Sequence, residues 1–153
     1  MDAKGFAAAA VRLDSGGGEA VRVDHIGVAV RSIGAARGFY ELLGMAVGQV
    51  EMVERERVRV AMVGVGGPRI ELLEATAEDS AIGRFVARRG EGLHHIALRV
   101  GDVDAEFARL KDQGVRLASE CVGVGARGHR YFFVHPEAAG GVLVEIVGEA
   151  SSA

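Results

Sequence analysis

The sequence predicts an α+β fold built from two tandem βαβββ modules, and three observations carry that expectation. The segment Val23-Asp24-His25-Ile26-Gly27-Val28-Ala29-Val30 returns as Leu93-His94-His95-Ile96-Ala97-Leu98-Arg99-Val100, and the ungapped match continues to pair Ala35 with Ala105 and Gly44 with Gly114. A second correspondence sets Ile70-Glu71-Leu72-Leu73 against Val144-Glu145-Ile146-Val147. Between these anchors the apolar spacing passes from period two to helical spacing and back, in the same order in both halves.

In the first module, Val21 to Val30 alternates as a strand that puts His25, Gly27 and Ala29 on one face. Ser32 is an N-cap for a helix whose stripe is Ile33, Ala36, Tyr40 and Leu43, and Gly44 stops it. Ala46 to Val53 and Arg57 to Val65 are β-rich runs around a charged Glu54-Arg55-Glu56-Arg57 turn. After Gly66-Gly67-Pro68 the strand Arg69 to Glu74 completes the module, residues 21–75. Residues 76–92 contain one short helix, capped by Asp79 or Ser80, with Ile82, Phe85 and Val86 inward. The second module, residues 93–149, has a strand at Leu93 to Val100, a helix at Asp102 to Gln113 with Val103, Phe107 and Leu110 as its stripe, and strands at Val115–Ala118, Tyr131–Val134 and Val142–Val147. Residues 1–20 read as a flexible leader and 150–153 as a tail; the two modules together form one domain over 21–149.

Composition narrows the function classes. The chain has 153 residues, 49% hydrophobic and 25% charged, which is ordinary for a globular protein able to bury a core without staples. Its net charge of −3 and the lack of a basic run beyond Arg88-Arg89 argue against nucleic acid. No apolar run approaches the ~20 residues of a membrane span. The single cysteine, Cys121, cannot form a disulfide within the chain and reads as a small buried hydrophobe.

Each half then carries a histidine on its first strand and a glutamate on its last: His25 and Glu71, His95 and Glu145. A glutamate inside an apolar strand must pair, protonate or bind a metal. One such residue is most often structural, but independent accidents do not recur at matching places in both halves. Two imidazoles and two carboxylates suit divalent Zn, Ni, Co, Mn or Fe, and four ligands on a six-coordinate ion leave two positions for substrate oxygens. By strict alternation His94 points away from this site and is structural. His135, before Pro136, is a loop anchor or a substrate contact. Gly123-Val124-Gly125-Ala126-Arg127-Gly128 fits a dinucleotide fingerprint, but it precedes a strand instead of linking strand to helix; it reads as a loop over the site, where Arg127 and Arg130 are candidate contacts for an anionic substrate. Arg84, Arg88 and Arg89 are a solvated helix face.

Several segments resemble the methylmalonyl-CoA epimerase family of the vicinal oxygen chelate (glyoxalase/bleomycin-resistance-like) superfamily. They are Asp24 to Ala29, Ile70 to Glu74, the link Glu78 to Gly83, Glu91 to Ala97, and His135-Pro136 followed by Gly140-Gly141-Val142-Leu143-Val144-Glu145. The resemblance covers residues 21–149. It implies His25, Glu71, His95 and Glu145 as ligands of one divalent ion (Co, Mn, Ni or Zn) with no other cofactor, an acyl-CoA substrate, and a homodimer in cytoplasmic propionate metabolism. The implied reaction interconverts (R)- and (S)-methylmalonyl-CoA by removal and return of the C2 proton through a metal-stabilised enolate. Glu145 is the first expected base and Glu71 the second, because some epimerases carry an acidic base where this chain has Val60. The alternatives are a glyoxalase I-type lactoylglutathione lyase, which has the same ligands, and a non-catalytic drug-binding relative. An extradiol oxygenase uses two His and one Glu, so Glu71 counts against it.

Overall fold

The first repeat segment folds as strand β1 (Arg22–Val30) in the computed structural model of the chain, which describes residues 20–125 and 128–150. Residues 1–19 of the expected leader, residues 151–153 of the expected tail, and the candidate contact Arg127 lie outside the described residues. Helix α1 (Ile33–Leu42) begins where the Ser32 hydroxyl accepts the Ala35 N–H, and it ends before Gly44, whose φ of 79° favours a residue without Cβ. Strands β2 (Glu51–Val53), β3 (Val58–Val63) and β4 (Arg69–Ala75) complete the first module.

Helix α2 (Ala81–Arg89) links the halves. Ser80, not Asp79, caps it: the buried Ser80 hydroxyl accepts the Gly83 N–H at 3.0 Å and donates to the Ala77 carbonyl at 2.7 Å, while Asp79 pairs with Arg57. The second module runs through β5 (Gly92–Arg99), α3 (Val103–Asp112) capped by Asp102, β6 (Gly123–Val124), β7 (His129–Val134) and β8 (Val144–Ala150).

All eight strands form one curled sheet in the order β2-β3-β4-β1-β5-β8-β7-β6. The repeated strands β1 and β5 pair antiparallel at its centre, so the halves meet about a pseudo-two-fold axis between them; β4 lies parallel to β1, and β8 parallel to β5. Side chains alternate across this sheet. On one surface, Ala61, Val63 and Leu72 pack against Ile33 of α1, and Phe132, Val134 and Ile146 pack against Val103 of α3. The intervening residues, including Val60, Leu73, Tyr131, Phe133 and Val147, face a cavity that α2 closes at one end through Ile82. Phe132 is wholly buried and meets Phe107 edge to face at 5.1 Å. Phe132→Ala is expected to cost about 3–5 kcal/mol, read as a lowered denaturant midpoint.

Four expectations are corrected. The run Ala46–Val50 is not a strand: it keeps one bridge, Val47 to Val63, flanked by the bonds of Gly48 N–H to Met62 and Gly64 N–H to Ala46. Val115–Ala118 likewise keeps only the bridge Leu117 to Val134; the Ser119 hydroxyl accepts the Phe133 N–H at 2.8 Å, so a side chain replaces a ladder bond. Leu43 caps α1 instead of joining its buried stripe and is exposed. Cys121 is exposed, on the segment leading to the short β6. Among the described residues no helix is long and apolar enough to cross a membrane.

Candidate metal centre

The centre of the cavity is built from two adjacent rows across the sheet. In one row Gly27 of β1 lies between Glu71 of β4 and His95 of β5; in the other, Ala97 of β5 lies between His25 of β1 and Glu145 of β8. Each row therefore places a small residue between a histidine and a glutamate, which lets both long side chains lean inward over it. The approach is closest at Gly27, where a Cβ would fall inside contact distance of three atoms of the His95 ring.

The four candidate side chains converge. His25 Nε2 and His95 Nε2 are 3.2 Å apart; Glu145 Oε2 lies 3.2 Å from both, and Glu71 Oε2 lies 3.3 Å from His25 and 3.6 Å from His95. Both histidines are buried at 5% exposure. Neighbouring donor atoms bound to one ion at ~2.0–2.2 Å stand roughly 3.0–3.5 Å from each other, so the group of His25, Glu71 and His95, with Glu145 3.2 Å from both histidines, offers a mixed N and O set that fits a divalent metal.

A β-bulge precedes each histidine. In the β1–β5 pairing Asp24 is the extra residue of one strand and His94 of the other, and the bulges turn both toward their neighbouring histidines. Asp24 Oδ2 accepts from His25 Nδ1 at 2.8 Å, and its other oxygen accepts from Arg99 Nε at 2.7 Å. His94 Nδ1 lies 2.9 Å from His95 Nδ1 and packs edge to face against Phe85. His94 thus lines the cavity, contrary to strict alternation, because the bulge adds a residue to β5. Burial, and then the neighbouring His95, push His94 down to about 4, so it is neutral near pH 7. With His95 Nε2 aimed at the other donors, its proton rests on Nδ1 and is donated to His94. Asp24→Asn is expected to weaken metal binding roughly 10- to 100-fold in a chelator competition, since it removes the carboxylate that orients His25.

Electrostatics without a metal are equally informative. Burial alone would lower His25, but Asp24, Glu145 and Glu71 overcome it and raise it to about 11. Burial alone would raise Glu145, but its bonds to His25 and His95 bring it down to about 2. A metal must therefore displace a proton from His25, and its apparent affinity is expected to rise with pH. For the metal-free protein, the Glu145 contribution to stability is present above its ordinary value of 4.5 and is lost as pH falls toward 2. The His25 contribution is present below 6.5 and is lost as pH rises toward 11. The lowered His94 costs stability as pH falls from 6.5 toward 4, so melting of the metal-free protein should peak near pH 6.5; a rise from pH 7 to pH 10 would contradict this.

The surrounding cavity has a volume of about 720 Å³, within the range of small-molecule sites, and its walls are largely apolar. At its mouth Tyr131 of the second module donates to Glu56 of the first at 2.6 Å; burial and then this acid raise the phenol above its ordinary range. Phe133, one pleat along from Tyr131, packs edge to face on His95 at 5.9 Å.

Residues 24–133 match the family described as the Glyoxalase/Bleomycin resistance protein/Dioxygenase superfamily. The mitochondrial methylmalonyl-CoA epimerase of Homo sapiens is 35% identical over 127 residues, 82% of this chain and 72% of that protein. The ethylmalonyl-CoA/methylmalonyl-CoA epimerase of Cereibacter sphaeroides is 35% identical over 128 residues, 82% of this chain and 96% of that one. A variant of the Streptomyces coelicolor methylmalonyl-CoA epimerase, solved with 2-nitronate-propionyl-CoA, superposes with a TM-score of 0.79 at 41% identity, over 85% of this chain and 95% of that one. The chain belongs to the methylmalonyl-CoA epimerase family of that superfamily.

Membership in this epimerase family, a family of isomerases, accords with the vicinal oxygen chelate fold and with the convergence of His25, Glu71, His95 and Glu145. Two other candidates are not brought to the site. Arg130 alternates with the cavity-facing Tyr131 and turns instead to the helix layer, where it pairs with Asp104 of α3 at 2.5 Å, so its reading as a substrate contact is corrected. His135 accepts the Glu137 N–H at 3.2 Å and caps a 3-10 turn at Pro136–Ala138 outside the cavity walls, which favours the loop anchor over the substrate contact. Val60 lines the cavity as a buried apolar residue, leaving no acid at that position of β3. Sequence reasoning missed Asp24, Arg99 and the inward turn of His94.

Proposed function

We propose that the chain is a metal-dependent epimerase that interconverts (R)- and (S)-methylmalonyl-CoA. One observation carries the reading: Glu71 and Glu145 enter from strands on opposite sides of the paired histidines. Inversion at C2 requires one group to take a proton from one face and another to return it on the opposite face. Two carboxylates related by the pseudo-two-fold meet that need, and with Val60 apolar they are the acids that face the histidine Nε2 atoms. Glu145 is the primary base and Glu71 its partner.

His25, Glu71, His95 and Glu145 would hold the divalent ion, a Co, Mn, Ni or Zn. When bound, it supplies Lewis-acid stabilisation of the negative charge that develops on the thioester oxygen. The apolar walls exclude water from the deprotonated carbon, and Asp24 and His94 hold the imidazoles. The exposed apolar residues Phe39, Leu42 and Leu43 at the end of α1 support a homodimer, which a solution mass measurement checks. A place in cytoplasmic propionate metabolism follows from the same reading and is supported by the exposed free thiol of Cys121, which suits a reducing compartment.

The competing glyoxalase I-type reaction employs the same four ligands on a glutathione hemithioacetal. The deciding experiment offers the metal-loaded protein methylmalonyl-CoA in deuterated water beside methylglyoxal with glutathione. Deuterium entering C2 of methylmalonyl-CoA is the expected result; turnover of the hemithioacetal alone would overturn the proposal.

A further inference from the structure

Arg69 opens β4 two residues before Glu71, so both side chains rise from the same face of the sheet into the cavity. It stands in register with His25 on β1. Its side chain is one-third exposed, and its one recorded polar contact among the described residues is a loose ion pair with Asp24 at 3.9 Å. That aspartate is already committed: one oxygen holds His25 and the other holds Arg99, at 2.8 and 2.7 Å. Charge counting around the centre gives the same answer. Glu71 and Glu145 complement a divalent ion, Asp24 complements Arg99, Glu51 of the cavity wall is engaged elsewhere, and Arg69 stands as a cation near the four donors with only its loose contact to Asp24. Glu56, an acid farther out at the mouth, takes the Tyr131 hydroxyl. A five-donor planar fork in a largely apolar cavity is a receptor for an oxyanion.

We propose that Arg69 binds the free carboxylate of the substrate and thereby selects carboxylated acyl thioesters over neutral ones. This assignment rests on the epimerase reading. The malonyl carboxylate is favoured over a phosphate of the CoA arm because Arg69 shares a strand face with Glu71 and a register position with His25, which sets it beside the reacting carbon. The same contact fixes the orientation of the carboxylate while C2 inverts.

The test is calorimetric binding to the metal-loaded protein, which is independent of turnover, with Arg69→Met and Arg69→Lys. Three ligands are compared: methylmalonyl-CoA, propionyl-CoA without the carboxylate, and methylmalonyl-pantetheine without the nucleotide phosphates. Arg69→Met should weaken both methylmalonyl thioesters roughly 10- to 100-fold, the effect of removing a charge-assisted hydrogen bond, and leave propionyl-CoA unchanged. Arg69→Lys should recover part of the loss. Unchanged binding of methylmalonyl-CoA by Arg69→Met would overturn the proposal, as would a loss confined to the two CoA esters, which would assign Arg69 to phosphate. Wild-type protein that fails to prefer methylmalonyl-CoA to propionyl-CoA would remove the epimerase reading itself.

Discussion

Glu145→Gln is expected to lower exchange of the C2 proton of methylmalonyl-CoA by about 10²- to 10⁴-fold, the usual contribution of a positioned acid or base. Glutamine has nearly the same shape and keeps an oxygen for the metal, so Phe133 and Val147 beside it should stay in place. The Glu145 carboxylate is held anionic by His25 and His95, against a burial penalty that would otherwise protonate it. A neutral amide keeps the contacts and loses the basicity. Metal content measured on the same sample separates the two roles: a metal-loaded, folded, inactive variant identifies the base, and a metal-loaded, fully active one would remove Glu145 from that role. Glu71→Gln should act alike on the return of the proton, and full activity there would likewise exclude Glu71.

Gly27→Ala is the other large effect, although the residue carries no functional group. The added methyl would occupy the space of the His95 imidazole, whose edge passes directly over the Gly27 backbone. His95 is enclosed by Phe133 on one side and His94 on another, so its ring must shift along with the strand pairing. A displacement near 1 Å at a reacting site costs about 10²-fold. Both metal affinity and C2 exchange are expected to fall by at least that factor. Ala97→Gly, the converse change in the other row, should cost only the roughly 0.5–1 kcal/mol of a glycine in a strand. Metal analysis and exchange on the two variants check the pair, and wild-type metal affinity in Gly27→Ala would contradict the geometry.

The duplication made the convergence of the four candidate residues legible in the sequence, because a histidine or glutamate that means little once becomes informative when it recurs at the matching place. Asp24 and His94 were not legible in the same way. Period-two alternation assigns them to the far face, and the bulges that turn them inward depend on the pairing of β1 with β5, which no local window contains. The small residue two positions after each histidine, Gly27 and Ala97, was a usable signal, since at Gly27 the His95 ring leaves no room for a Cβ. Val115–Ala118 had strand composition, yet the Ser119 hydroxyl takes the amide its neighbour would have used. The contact of Tyr131 with Glu56 joins opposite ends of the sheet and arises only when the sheet curls. Arg130 shows the reverse case, since its alternation with Tyr131 and Phe133 already placed it on the helix side.

The most direct measurement is a titration of chelator-treated protein with a divalent metal, following deuterium incorporation at C2 of methylmalonyl-CoA and bound metal together. The account predicts that exchange is absent without metal, rises in proportion to metal bound, and reaches its plateau at one ion per chain, with His95→Ala failing to bind the ion or to exchange. Full exchange by the metal-free protein, or an undiminished plateau in His95→Ala, would contradict it.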